Sequence, residues 1–75
     1  NLEIVQIELS SQSPVPGKTI QDVKMPAGAH IVAVIRNNVA MLPTPTMPLV
    51  VGDTVLALVS AEREGELRGS FGGTM

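Results

Sequence analysis

The fold is decided by two aliphatic stretches, AHIVAVIRNN at residues 29–38 and LVVGDTVLALV at residues 49–59. Both are rich in β-branched residues, which favour strands. The first is apolar along most of its length, which is typical of a strand covered on both faces. It ends in Asn37-Asn38, a pair that tolerates the positive φ of a tight turn. We therefore predict two central strands, the first of which enters a hairpin.

The remaining strands flank these two. Residues 2–9, LEIVQIEL, alternate apolar and polar side chains with one break at Ile4-Val5, which predicts a half-buried strand. Residues 39–42, VAML, follow the Asn-Asn turn and predict a short returning strand. Pro43, Pro45 and Pro48 then interrupt strand pairing and predict an extended connector.

Two short helices are expected outside the sheet. Thr19 followed by Asp22 fits a helix start, and a proline at position 26 limits that helix to about two turns. Ser60 is expected to cap a C-terminal helix. Leu67 and Phe71, four residues apart, would face the sheet from that helix.

This order of elements predicts an α+β fold. The sequence indicates a small β-α-β-β-β-α domain with a four-stranded, mainly antiparallel sheet and two short helices, in a single domain over residues 1–75. Residues 72–75 are expected to form a flexible tail. Because the chain begins at Asn1 rather than Met, we expect it to be a piece of a longer protein.

Composition limits the functions open to the chain. It has 75 residues and no Cys, which excludes disulfides and a cysteine-based metal site, and one His cannot replace such a site. A chain this short has a small core, so we expect it to dimerise. The net charge is −2 and the five cations are scattered, which argues against DNA or RNA as a partner.

The residues that carry chemistry are few. His30 has no nucleophile or acid at a catalytic spacing, so we expect no enzyme, and a structural strand-end role is the alternative to ligand contact. The sequence PGKT at residues 16–19 lacks the upstream Gly of a phosphate loop. Gly52-Asp53 is expected to be a structural turn. Arg36-Asn37-Asn38 either binds a small anion, since Arg matches phosphate oxygens, or is a solvated hairpin tip.

The chain resembles the TrkA-C domain, also called RCK-C, of potassium-conductance regulators. The resemblance is carried by GKTI at residues 17–20, by PAGAHIVAVIRN at residues 26–37, by Pro43, and by LVVGDTVLALVS at residues 49–60. It implies a cytoplasmic regulatory domain, peripheral to a membrane transport complex. Its partners would be a second copy of itself and a membrane-embedded potassium or cation/proton transporter subunit.

The resemblance also implies a ligand and its contacts. Some such domains bind cyclic di-AMP at the homodimer interface, through the aliphatic strand, the Arg-Asn turn and the proline connector. The corresponding ligand-binding positions are His30, Ile31, Val32, Arg36, Asn37, Asn38 and Pro48. Other such domains bind no known ligand or bind metal ions. For this chain we expect no catalytic residue, no metal ligand and no permanent cofactor, and the small nucleotide would act as a regulatory ligand.

Two other functions stay open at this point. The chain could be a structural dimerisation domain of the same family with no ligand of its own. It could also be a lipoyl- or biotinyl-type carrier, but a carrier needs a Lys at an exposed hairpin tip, where this chain has Asn37 and Asn38.

Overall fold

A computed structural model of the chain describes residues 1–72. It contains four strands, β1 (Leu2–Glu8), β2 (His30–Arg36), β3 (Val39–Met41) and β4 (Thr54–Ser60), and one α-helix, α1 (Glu64–Ser70). Short 3-10 turns occur at Ile20–Asp22 and Ala61–Arg63. The strands form one sheet in the order β1-β4-β2-β3, and all three pairings are antiparallel. This confirms the predicted α+β fold and its four-stranded antiparallel sheet. Of the tail predicted over residues 72–75, positions 73–75 lie outside the described residues.

The strand register sends alternate side chains to two different faces of the sheet. Val5 and Ile7 of β1 pair with Ala57 and Val55 of β4, and all four are buried. Ile4 pairs with Leu58 on the opposite face. The Ile4-Val5 break in the alternation is therefore not a bulge, because β1 carries apolar residues on both of its faces.

Helix α1 covers one face of the sheet. Leu67 and Phe71 have 0% exposure and belong to the same core cluster as Val55 and Val59, which confirms that they face the sheet. The helix is entered through the 3-10 turn that follows Ser60, and the Ser60 side chain makes no capping hydrogen bond. The docking of these apolar residues, rather than a side-chain cap, holds the helix in place.

The predicted first helix is reduced to the single 3-10 turn Ile20–Asp22. The Thr19 hydroxyl donates to the Asp22 carboxylate at 2.8 Å instead of capping the turn. The backbone N–H groups of Ile20 and Gln21 donate to the carbonyls of Met47 and Pro45. These long-range bonds tie the segment to the proline connector, and the extended backbone of Val23 ends the turn.

The prediction that β2 is covered on both faces is wrong for the single chain. Val34 on the core face has 0% exposure, but Val32 is 40% exposed. The register of β2 against β4 shifts between Ile31 and Ala33, which places Val32 at a bulge. Helix α1 and the long loops lie on one side of the sheet, so the other face, which includes Leu2 and Ile4 at 66% and 67% exposure, lacks a covering layer within residues 1–72.

Candidate functional site

The β2–β3 hairpin turns at Asn37 and Asn38, as predicted. Their φ angles are 54° and 65°, the left-handed values that a two-residue type I′ turn requires at both central positions. Arg36 and Val39 pair on either side of them. Both Asn side chains are exposed at the tip, and the turn chemistry alone explains their presence.

Arg36 reaches back from the end of β2 to the start of β4. Its Nε and Nη2 donate to Oδ1 and Oδ2 of Asp53, each at 2.8 Å, and Nη2 also donates to the carbonyl of Pro48 at 2.9 Å. The carboxylate accepts a further hydrogen bond from the backbone N–H of Val50 at 3.0 Å. We call this group of Arg36, Asp53 and Pro48 the clasp.

The clasp is an ion pair with two-point contact around a buried carboxylate. The Asp53 side chain has 0% exposure, whereas that of Arg36 is 30% exposed. Hydrogen bonds from Arg36 lower the pKa of Asp53 below its usual value and outweigh the opposing effect of burial. The same hydrogen bonds raise the pKa of Arg36. Two-point contact of this kind is among the strongest that Arg makes.

The sequence placed Asp53 in a structural turn but did not identify its partner. The partner follows from the order of the strands, which the sequence alone left open: an antiparallel pairing of β2 with β4 brings the end of one strand beside the start of the other. Ile35 pairs with Thr54, so the next residues outward, Arg36 and Asp53, meet. A charge that is buried needs such a partner.

An open groove lies at the other end of β2. Its volume is about 410 Å³, which is within the range of small-molecule sites. His30 and Ile31 line it together with residues from two loops: Ile20, Gln21, Val23, Met25, Ala29, Pro43, Thr44 and Pro45. We call this surface the groove.

The predicted ligand-binding residues therefore divide into two groups. His30 and Ile31 line the groove, while Arg36, Asn37, Asn38 and Pro48 lie at the hairpin end of β2. Six strand positions separate His30 from Arg36, a distance of about 20 Å at the usual strand rise. Val32 is not in the groove lining and sits exposed at the bulge. One chain does not bring all seven residues to one place.

Sequence reasoning missed most of the groove. Gln21 and Thr44 supply polar groups to it, and Pro43 and Pro45 form part of its wall. The wall depends on hydrogen bonds from Ile20 to Met47 at 3.0 Å and from Gln21 to Pro45 at 2.9 Å. No local pattern predicts this pairing, because it joins two irregular segments far apart in the sequence.

Comparison with known proteins shows the family. A model of the TrkA-C domain family matches residues 4–72, which include the whole described sheet from Ile4 onward, the groove and the clasp. The chain belongs to the TrkA-C domain family. This membership indicates a regulatory domain of ion transport. A search of curated proteins found no match.

The fold of this TrkA-C domain is also found among solved structures. One, described as the structure of an RCK domain with cda, superposes with a TM-score of 0.76 at 20% sequence identity. The alignment covers 91% of this chain and 96% of that one. At this identity the likeness shows the shared fold.

Other features of this TrkA-C domain add little chemistry. Within residues 1–72 there is no group of three or more His, Cys, Asp or Glu side chains placed to hold a metal ion. No helix in that part of the chain has the length and apolar composition needed to cross a bilayer. A second cavity, of about 350 Å³, has Lys18, Lys24, Asp22 and Ser70 in its lining. Both of its cations are exposed surface lysines.

Proposed function

We propose that this TrkA-C domain is a cytoplasmic, non-enzymatic sensor that regulates a potassium or cation/proton transport system by binding cyclic di-AMP between two copies of the chain. Family membership supports the transport role. The structural neighbour described as an RCK domain with cda supports a ligand-binding role for this fold. The groove beside β2 is the observation that carries the proposal.

The chemistry of the groove suits a nucleobase. Its walls are the apolar side chains of Ile20, Val23, Met25 and Ile31 and the rings of two prolines. Polar atoms come from Gln21, His30 and Thr44, which offer both donors and acceptors. No Lys, Arg, Asp or Glu lines it. Such a groove accepts a flat uncharged ring and leaves the phosphates to be bound outside it.

A two-fold dimer would complete the site. A symmetric dimer places two copies of the groove around one axis, which matches a ligand made of two identical halves. The uncovered sheet face, with Leu2 and Ile4 exposed on it, leaves apolar surface for contacts between copies. Cyclic di-AMP would regulate transport by binding one dimer arrangement more tightly than another. The membrane-embedded transporter subunit would respond to that change.

The test is calorimetric titration with cyclic di-AMP of three proteins: wild type, Gln21→Ala and Gln12→Ala. Gln21 lines the groove, whereas Gln12 is an exposed residue outside it, so both variants make the same chemical change. Loss of a ligand hydrogen bond in Gln21→Ala should weaken binding by about tenfold. Gln12→Ala should bind as wild type does. Absence of heat with wild type rules out cyclic di-AMP as the ligand, and equal affinity in all three removes Gln21 from the site.

Dimerisation needs its own measurement. Sedimentation at micromolar concentration should give a species of twice the 7.9 kDa chain mass. A species of the single-chain mass under those conditions would contradict the dimer.

The second candidate function is a ligand-free structural dimerisation domain. The clasp favours it, because the cation that would meet a phosphate is engaged by Asp53 and Pro48 within the chain. Thermal melts with and without cyclic di-AMP separate the two candidates. A ligand that binds only the folded state must raise the melting temperature, and an unchanged midpoint at saturating ligand favours the structural role.

A further inference from the structure

We propose that Arg36 is a positioning residue, which together with Asp53 holds the proline connector in place and so shapes the distant groove, without contacting the ligand. The part of this inference that concerns ligand binding rests on the proposed function. The part that concerns the connector stands on the clasp alone.

Two of the three guanidinium nitrogens of Arg36 are already directed to protein acceptors. Nε and Nη2 meet the two oxygens of Asp53, and Nη2 also meets the Pro48 carbonyl. Asp53 is itself fixed by the Val50 N–H and has 0% exposure. One guanidinium thus joins the end of β2, the start of β4 and the end of the connector.

The connector depends on contacts of this kind. Pro43, Pro45 and Pro48 have no N–H, so these residues can join the rest of the protein only as hydrogen-bond acceptors. Pro45 accepts from Gln21, and Pro48 accepts from Arg36. The next residue, Leu49, exchanges hydrogen bonds with the 17–18 segment, donating to Lys18 at 2.9 Å and accepting from Gly17 at 2.8 Å.

These bonds link the clasp to the groove. Pro48 forms a bridge with Thr19, which directly precedes the groove residues Ile20 and Gln21. Holding the Pro48 carbonyl therefore sets the register in which Pro45 and Thr44 face His30 and Ile31. A phosphate that drew Nε and Nη2 of Arg36 away from Asp53 would leave the buried carboxylate without a cation. This is why we assign Arg36 to the connector and not to the ligand.

The first experiment follows amide hydrogen exchange in Asp53→Asn, with Asp22→Asn as the matched control. Asp22 is an exposed carboxylate bonded to Thr19, and it lies beside the groove, so the control makes the same change of charge nearby. Asp53→Asn should speed exchange at the Gln21 and Leu49 amides by about tenfold or more relative to the amides of β1. Unchanged exchange at Gln21 and Leu49 would overturn the inference whether or not any ligand binds.

The second experiment compares two probes, cyclic di-AMP and adenosine, by titration of the same proteins. A displaced connector should weaken both probes by the same factor, about tenfold, because the groove wall itself moves. Were Arg36 a phosphate contact, Asp53→Asn would free it, so that cyclic di-AMP would bind as tightly as before or more tightly while adenosine stayed the same. That result would overturn the inference.

A second variant, which keeps the positive charge at position 36, makes the test independent of whether Asp53→Asn folds. If Asp53→Asn does not fold, Arg36→Lys takes its place, since Lys retains the cation but lacks the planar fork that meets two acceptors. It should show the same selective exchange at Gln21 and Leu49, and wild-type exchange there would contradict the inference. If wild type binds neither probe, the proposed function fails and the exchange result alone decides the role of Arg36.

Discussion

Truncation of Leu67 tests the packing of helix α1 on the sheet. Leu67→Ala removes an isopropyl group from a side chain that has 0% exposure. The loss of these buried apolar groups lowers the free energy of unfolding by about 2 kcal/mol through their transfer out of water alone. The cavity that remains raises the total loss to about 3 kcal/mol. A domain of 75 residues has a free energy of unfolding of roughly 4–11 kcal/mol. The substitution should therefore remove a large share of the total stability.

Urea denaturation followed by circular dichroism measures this loss, at one fixed protein concentration for all variants. Leu42→Ala is the control, because it makes the same chemical change at a residue that is 84% exposed. Its free energy of unfolding should change by less than about 0.5 kcal/mol. A loss below about 1 kcal/mol for Leu67→Ala would refute the packing of α1 described above. An equal loss in both variants would mean that Leu42 is covered in solution.

Three further predictions concern the turns and the clasp. Because the pKa of Asp53 is lowered in the folded protein, its stabilising effect should be complete above a pH of about 4 and be lost as the pH falls from there through the folded-state pKa. The free energy of unfolding, measured by urea denaturation across that range, should depend less on pH in Asp53→Asn than in wild type. The same pH dependence in both proteins would contradict the ion pair. At Asn38, where φ is 65°, substitution by Ala should lower the free energy of unfolding by about 1 kcal/mol, and substitution by Gly should lower it less. A higher melting temperature for the Ala variant than for the Gly variant would contradict a type I′ turn. Gly65→Ala, at a helical position with open space around it, should stabilise the domain by about 0.5–1 kcal/mol. Gly72→Ala should destabilise it, because φ there is 75° and a Cβ would overlap Pro14. Equal melting temperatures for the two variants would refute this prediction.

The sheet and the helix docking were predictable because each rests on a local signal. The aliphatic run before Asn37-Asn38 specified both a strand and the turn that ends it, and the four-residue spacing of Leu67 and Phe71 specified the buried side of α1. The uncovered face of β2 was not predictable in this way. A continuous apolar run has the same pattern whether its second face meets another layer of the same chain or not.

The candidate site was predicted less well, for a different reason. Arg36 was correctly singled out as a cation at the rim of an apolar sheet, but its partner depends on which strands are neighbours. The sequence alone left that order open. The groove depends on hydrogen bonds from Ile20 and Gln21 to the carbonyls of Met47 and Pro45, and backbone contacts between two loops leave no trace in residue type. Nonlocal backbone pairing is therefore what the sequence could not supply for the groove and the clasp.

The position of β4 in the sheet has a consequence for how the protein is made. β4 is the last of the four strands within residues 1–72, yet it is the partner of both β1 and β2. During synthesis only the β2–β3 hairpin can form its sheet contacts before residue 54 leaves the ribosome. β1 must wait, unpaired, until β4 closes the long loop between them, which makes that closure the expected slow step of folding. Within this sheet, β1 is thus secured by β4, and the sheet assembles only when residues 54–60 are available.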